Sequence, residues 1–331
     1  MNVVRFLALR LGGIVLVLLA VAVVTYVVFY LLPADPARLS CGKPCTPENY
    51  AAAQHYLGLD VPWYAQLWNY LSGIVAGRSF GSGAGLISCP APCFGYSFQL
   101  STPVTELILT RLPVTASIAI GAAVLWFVSG VAGGAVAAVR RGRAIDRAVM
   151  TVAIAGVSAP AYLVGLLGIL LFGFTLGWLP TGGYEPLTED PAGWFLHLLL
   201  PWCALAFISA AVYARLTRAE LIDQLGRDHI RTARAIGLRE SAVVVRHGLR
   251  NALIPVVTVF GLDLGTLLGG AVITEKVFSM QGLGSLLITA IGQTDLQVVV
   301  GVTLFAAFLI TVANFLVDVV YGFLDPRVAL G

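Results

Sequence analysis

The sequence predicts an all-α membrane protein with six transmembrane helices and a folded extracytoplasmic loop between the first two. Three observations carry this prediction: the composition, a series of long apolar runs, and the placement of the basic residues. Of the 331 residues, 58% are hydrophobic and 11% are charged, whereas about a quarter of the residues in an ordinary soluble domain are charged. The composition therefore excludes a chain made mainly of soluble domains.

The apolar runs are long enough to cross a hydrocarbon core about 30 Å thick as helices. Arg5 and Arg10 before the first run resemble the start of a signal peptide, but the run exceeds an h-region of roughly 7–15 residues. We interpret it as an uncleaved helix, with a cleaved signal peptide as the alternative. Pro160 should kink the third span. The six predicted spans are Leu11–Leu32, Leu112–Val139, Val149–Phe174, Phe195–Val212, Ala252–Ile273 and Gln297–Tyr321.

The basic residues predict the orientation, because loops rich in arginine and lysine face the cytoplasm. Fifteen of the 20 precede the first span, follow the sixth, or lie between the second and third or the fourth and fifth. We therefore expect a bacterial cytoplasmic membrane protein with both termini inside. The opposite loops hold the other five: Arg38, Lys43, Arg78, Arg111 and Lys276.

The loop after the first span is long enough to fold. Thr46 and Pro47 predict the start of a helix, with proline at its first position, and Gly58 predicts its end. Four aromatic residues just beyond this helix are typical of the apolar face of a cap near the membrane surface: Trp63, Tyr64, Trp68 and Tyr70.

Four cysteines lie in the same loop, as the pairs Cys41 with Cys45 and Cys89 with Cys93. An external location favours disulfides over a zinc site, and three connectivities are open to four cysteines. Cys203, in the fourth span, is interpreted as a small packing residue.

Nothing in the sequence predicts catalysis or a metal site. The two lysines, Lys43 and Lys276, follow no GxxxxGK[ST] sequence, so we expect no ATP site of the P-loop type in this chain. We expect no cofactor bound by this chain and no nucleic-acid partner. The energy for any transport must then come from a partner or an ion gradient.

The loop between the fourth and fifth spans is the least apolar part of the sequence. From Asp228 it predicts a short helix with Ile230, Ala233 and Ile236 on one face and with Gly237 at its end. From these residues alone two roles stay open. The loop is either a lever that another protein pushes or a basic segment that contacts lipid headgroups.

Residues Arg231-Thr232-Ala233-Arg234-Ala235-Ile236-Gly237-Leu238 resemble the EAA loop of permease subunits in ATP-binding-cassette importers, in the RTARAxGL form of dipeptide/oligopeptide permeases. Other segments resemble this family in the same order, including 57–62, 176–184 and 324–327. Two features depart from the family pattern: Gln281 stands where proline is usual, and 83–99 looks like an insertion.

The resemblance implies a type I importer permease fold and a subunit that translocates di- or oligopeptides. It implies four kinds of partner: a homologous second permease, one or two ATPase subunits that bind ATP and Mg, an extracytoplasmic binding lipoprotein, and the peptide. Nickel chelates, glutathione or haem are alternative solutes, and an ion-gradient transporter or channel is a second alternative. The arginine-rich, lysine-poor composition indicates a GC-rich bacterium such as an actinobacterium.

The same resemblance implies three regions: 1–32, 33–110, and a permease core over 111–331 with its coupling loop at 215–251. The residues expected to dock on the ATPase are Asp228, Arg231, Thr232, Ala233, Arg234, Ala235, Gly237 and Leu238.

Three polar residues within the spans are candidates for the translocation path. Asp263 lies in the middle of the fifth span, where a carboxylate costs roughly 2.5–3.5 kcal/mol to insert. It lines the path and attracts a cationic group such as a peptide's amino terminus, or it pairs within the structure. Asn314 and Asp318, in the last span, either contact substrate or form interhelical hydrogen bonds.

Overall fold

The computed structural model describes residues 3–28, 35, 37–38, 45–57, 61–80, 87–97 and 99–324. The N-terminal third holds α1 (Val3–Tyr26), α2 (Pro47–Leu57) and α3 (Trp63–Ala76), and then β1 (Arg78–Phe80), β2 (Ile87–Cys89), β3 (Tyr96–Ser97) and β4 (Thr102–Pro103). The middle of the chain forms α4 (Val104–Val139), α5 (Ala144–Ser158), α6 (Ala161–Gly168, continued as a π-helix over Ile169–Thr175) and α7 (Pro191–Leu225). The rest forms α8 (Asp228–Ala235), α9 (Glu240–Ala242, continued as a π-helix over Val243–Leu249), α10 (Arg250–Leu268), α11 (Val272–Val277), α12 (Leu283–Gln293) and α13 (Leu296–Leu324).

Four helical segments of the described chain are long and apolar enough to cross a membrane, or five if α5 and α6 count as one broken span. The four are Val104–Val139, Pro191–Leu225, Glu240–Leu268 and Leu296–Val317. The apolar part of α1, Arg10–Tyr26, is shorter, and residues 29–34 lie outside the described part. Six crossings therefore stay a prediction.

Two predicted spans differ from the helices observed. The third span is not one helix with a kink, because the axes of α5 and α6 meet at 103°. Pro160 causes the break: the residue before a proline avoids the helical conformation, and Ala159 has an extended ψ of 127°. The fifth predicted span ends too late, because α10 ends at Leu268 and Gly270 follows with a φ of 137°.

The predicted start of α2 is confirmed. Thr46 Oγ1 accepts a hydrogen bond from the backbone N–H of Asn49 at 3.2 Å, which is the geometry of an N-cap. Gly58, the predicted end, lies outside the described residues. Two short antiparallel hairpins follow α3: Ser79 faces Ser88 in the first, and Ser97 faces Thr102 in the second.

The chain divides into two compact units. The first comprises Val114–Gln281 and Ala313–Gly331, and the second comprises Asn2–Pro113 and Gly282–Val312. The core of the first unit surrounds Trp126, Trp202, Tyr213 and Phe278. The second unit has one core where Val104 and Ile108 meet α12 and α13, and another where α1, α3 and α13 meet. Residues 33–110, predicted as a region of their own, are thus grouped with α1 and with 282–312.

Candidate functional site

The basic loop between α7 and α10 contains a helix that ends in a Schellman motif. The N–H of Gly237 donates to the carbonyl of Arg234 at 3.0 Å, and the N–H of Leu238 donates to the carbonyl of Ala233 at 3.3 Å. These are the two hydrogen bonds of that motif. Gly237 has a φ of 80°, a left-handed conformation that glycine adopts without a steric penalty. The sequence-based expectation that Gly237 ends the helix is confirmed.

One face of α8 packs inside the chain. Ile230 and Val243 are fully buried and Ala233 is 6% exposed, and together with Leu225 they form a small apolar cluster. Ala233 therefore lies in the chain's own interior. Ile236, predicted on this face, is instead 71% exposed, because α8 ends at Ala235 and the chain turns away before Ile236.

An ion pair connects the residues on either side of the turn at Gly237. Arg234 donates two hydrogen bonds to Glu240, at 3.1 Å from Nε and 2.7 Å from Nη2. Asp228 pairs with Arg231 at 3.3 Å, and both of these side chains are largely exposed. Exposed pairs add little to stability. The Arg234–Glu240 pair does tie the end of α8 to the start of α9.

The outer surface of the turn is apolar at its centre and basic around it. Ile236 and Leu238 are exposed on either side of Gly237. Apart from Gly237 and these two neighbours, no heavy atom of the described residues lies within 4 Å of the position that a Gly237 Cβ would take. The space beside the glycine is open. Thr232, Ala235 and Arg239 are also exposed. We call residues 231–239 the coupling turn, after the role that the resemblance implies for this loop.

Asp263, the mid-span carboxylate, accepts a hydrogen bond from the hydroxyl of Tyr213 at 2.8 Å. Tyr213 belongs to α7 and is fully buried. Its ring lies 6.3 Å from those of Trp126 and Phe127, and 6.4 Å from that of Phe260. One oxygen of Asp263 is thus held at the edge of an aromatic cluster. Among the described residues, no hydrogen bond reaches the other oxygen.

The other two path candidates belong to the end of α13. Asn314 is partly buried, and its Oδ1 atom is buried with no hydrogen-bond partner in the described part of the chain. This end of α13 packs closely on α10, since a Cβ at Gly261 would collide with the side chain of Val317. The side chain of Asp318 lies outside the described residues. The structure thus places Asn314 and Asp263 on neighbouring helices.

A buried carboxylate that the sequence analysis missed lies at the start of α5. Asp146 is 4% exposed, and Arg218 of α7 donates to both of its oxygens, at 2.6 and 2.8 Å. The N–H of Gly142 donates to Oδ2 at 2.9 Å. This arrangement fixes the arginine-rich 140–143 turn to α7, the helix that leads into α8. An acidic residue in the first turn of a helix was the available signal.

Two further buried carboxylates were also missed. Glu275 in α11 is fully buried and accepts a hydrogen bond from Thr115 at 2.7 Å. Asp295, just before α13, is 7% exposed and accepts one from Ser97 at 2.5 Å. Burial raises the pKa of the Asp295 carboxyl, while hydrogen bonds from Ser97 and from the α13 backbone act in the opposite direction.

The cysteines of the N-terminal loop agree with the prediction of disulfides. Cys89 and Cys93 are bonded to each other, and Cys45 is also in a disulfide. Cys41 lies outside the described residues. Cys203, interpreted from the sequence as a small packing residue, is free and exposed in the single chain. It lines a shallow apolar groove of about 490 Å³ between α4, α5 and α7.

Long apolar helices, with a basic turn exposed between two of them, indicate an integral membrane protein. The chain belongs to the family described as "Binding-protein-dependent transport system inner membrane component", whose model matches residues 130–330. A companion model for the N-terminal region of these membrane components matches residues 3–119. The predicted family is confirmed.

Several relatives are similar over nearly the whole chain. A Brucella abortus protein named as a peptide transport system permease is 40% identical, covering 96% of this chain and 97% of that protein. The di/tripeptide transport system permease protein DppB of Pseudomonas aeruginosa is 39% identical, covering 98% of both. The glutathione transport system permease protein GsiC of Escherichia coli K12 is 39% identical, covering 96% of this chain and 97% of that protein.

Proposed function

We propose that this chain is the permease of an ATP-driven importer of di- and oligopeptides. Its family assigns the chain to binding-protein-dependent transport. This assignment argues against the alternative of a transporter driven by an ion gradient. The names of the Brucella and Pseudomonas relatives support a peptide substrate. Glutathione is itself a small peptide, so the relative named for it supports the same chemical class. Nickel chelates and haem are the less supported substrates.

The coupling turn is the single observation that carries the mechanism. Its exposed centre at Ile236 and Leu238 suits an apolar cleft on an ATPase subunit, and the surrounding arginines suit acidic residues at the rim of that cleft. Closing of the ATPases around ATP and Mg would push α8. The push must favour one of two states of the permease, as any ligand-driven switch requires. Asp228, Arg231, Thr232, Ala235 and Gly237 face outward in this proposal, while Ala233 supports the turn from inside.

The motion of the turn reaches the membrane through the helices on either side of it. The turn follows α7 and precedes α10, and the Tyr213–Asp263 hydrogen bond joins these two helices. We propose that the open oxygen of Asp263 faces the translocation path and attracts the amino terminus of a peptide. Asn314 and Asp318 would continue the polar lining on α13.

The assembly and orientation follow from the same proposal. The chain pairs with a homologous permease, binds one or two ATPase subunits from the cytoplasm, and receives peptide from an external binding lipoprotein. Six crossings would place both termini and the coupling turn in the cytoplasm, with 33–110 outside. The eight arginines between 215 and 250 support this orientation.

Uptake by a strain that lacks the permease gene tests the substrate. Labelled di- and tripeptides should enter only when the gene is restored, and unlabelled peptides should compete with them. Competition by nickel chelate or haem in place of peptides would overturn the peptide assignment and leave the importer assignment standing.

A further inference from the structure

Helix α3 has three distinct faces along its length. Leu67, Tyr70 and Ile74 face the core of the second unit, where Tyr70 is 3% exposed and packs with Ala22 and Tyr26 of α1. Tyr26 also donates a hydrogen bond to Gln66 at 2.5 Å. Tyr70, predicted on the apolar face of a cap together with Trp63, Tyr64 and Trp68, thus packs inside the chain, unlike the other three, which are exposed.

A second face is aromatic and exposed. Tyr64, Trp68 and Val75 lie at i, i+4 and i+11, positions on one side of a helix. Tyr64 is 62% exposed, Trp68 is 71% exposed and Val75 is 81% exposed. Leu71, at i+7, is partly buried against the core. We call Tyr64, Trp68 and Val75 the aromatic flank.

The third face consists of small side chains, two of which are polar. Its residues lie at i, i+4, i+7 and i+11: Ala65, Asn69, Ser72 and Ala76. The whole of α3 carries no charged side chain. An exposed flank with Trp and Tyr beside a flank that includes polar side chains suits a helix at the membrane–water interface.

The surface of α1, which packs on α3, indicates that the apolar environment beside the aromatic flank is lipid. From Leu11 onward α1 exposes several aliphatic side chains, as at Val15, Leu16 and Val24, which suits contact with lipid tails in a chain of this family. Helix α3 packs on the same helix at Ala22 and Tyr26, so the aromatic flank adjoins this lipid-facing surface. Trp and Tyr are the residues enriched at membrane–water interfaces.

We propose that α3 is an interfacial helix whose aromatic flank inserts into the headgroup region of the bilayer. The rings of Tyr64 and Trp68 lie at the level where acyl chains meet headgroups, and the flank at Asn69 faces water. The bilayer surface thus holds the N-terminal loop at a fixed height above α1. This role is separate from peptide transport and from ATPase docking.

Two adjacent positions offer a matched test. A nitroxide label is attached at Trp68→Cys or at Asn69→Cys, each in a full chain with Cys203→Ala, purified with its co-purifying subunits and placed in lipid nanodiscs. Collisions with oxygen, which concentrates in lipid, are compared with collisions with a neutral nickel chelate, which stays in water. We expect the oxygen-to-nickel ratio to be several-fold higher at Trp68→Cys.

The same labels at the neighbouring positions extend the test if one variant fails to assemble. Tyr64→Cys and Val75→Cys should follow Trp68→Cys, and Ala76→Cys should follow Asn69→Cys. Nickel-dominated collisions on both flanks would show a helix in water and overturn the proposal. Protection of the aromatic flank from both reagents would show a protein partner there and would overturn it equally.

Discussion

The hydroxyl of Tyr213 donates a 2.8 Å hydrogen bond to Asp263 and joins the helix that enters the basic loop to the helix that leaves it. The loop residues Leu225 and Arg250 end α7 and begin α10, so the bond lies 12 residues before the loop and 13 residues after it. With a rise of about 1.5 Å per residue, it is roughly 18–20 Å along each helix from the loop. The bond therefore ties α7 to α10, the two helices that flank the coupling turn.

Asp263→Asn should impair uptake of peptides with a free amino terminus more than uptake of N-acetylated peptides. The expected difference is about tenfold or more, the value of one hydrogen bond between charged groups. Tyr213→Phe is the control, since it removes the hydrogen bond and keeps both the ring and the carboxylate. Uptake kinetics of matched peptide pairs measure the effect. An equal loss for both peptides would assign Asp263 to structure alone.

Asp146→Asn should lower the unfolding temperature of the purified importer clearly, whereas Arg234→Ala should change it little. Both ion pairs are bidentate, but the Asp146 side chain is 5% exposed and that of Glu240 is 59% exposed. A buried guanidinium–carboxylate pair is costly to break, and an exposed one is not. Thermal unfolding in detergent distinguishes them. Equal shifts would show that burial does not set the strength of these pairs.

Asp295→Asn should change the pH dependence of stability. Because burial raises the pKa of Asp295 in the folded chain, the carboxyl ionises at a lower pH in the unfolded chain than in the folded one. The wild type then loses stability relative to Asp295→Asn as the pH rises from about 4 toward neutrality. Unfolding temperatures of both proteins across that range give the comparison. A constant difference would mean that Asp295 titrates alike in both states.

Local patterns in the sequence predicted those features that depend on a few neighbouring residues. Thr46 and Pro47 located the start of α2, and Gly237 located the end of α8, because caps and left-handed turns are set by the residues that form them. The break at Pro160 was expected as a kink, but its 103° angle depends on what α5 and α6 pack against.

Features that need two distant segments could not be predicted in this way. The partners Tyr213 and Asp263 are 50 residues apart, and Asp146 and Arg218 are 72 apart. The apolar sequence around Asp263 indicated that this carboxylate is costly to insert into the membrane. It did not indicate which residue forms a hydrogen bond with it. The burial of Ala233 was missed for the same reason, since it depends on Val243 in the next helix.

The coupling role of the turn at Gly237 is tested most directly by ATP-driven peptide uptake in proteoliposomes that contain the Gly237→Arg importer. Gly142→Arg is a matched control, because Gly142 also has a positive φ, 77° against 80°, and open space beside it. The left-handed strain of roughly 1–2 kcal/mol is then the same in both variants. We expect Gly237→Arg to insert and assemble but to lose uptake, and Gly142→Arg to retain it. Undiminished ATP-driven uptake by Gly237→Arg would contradict the account.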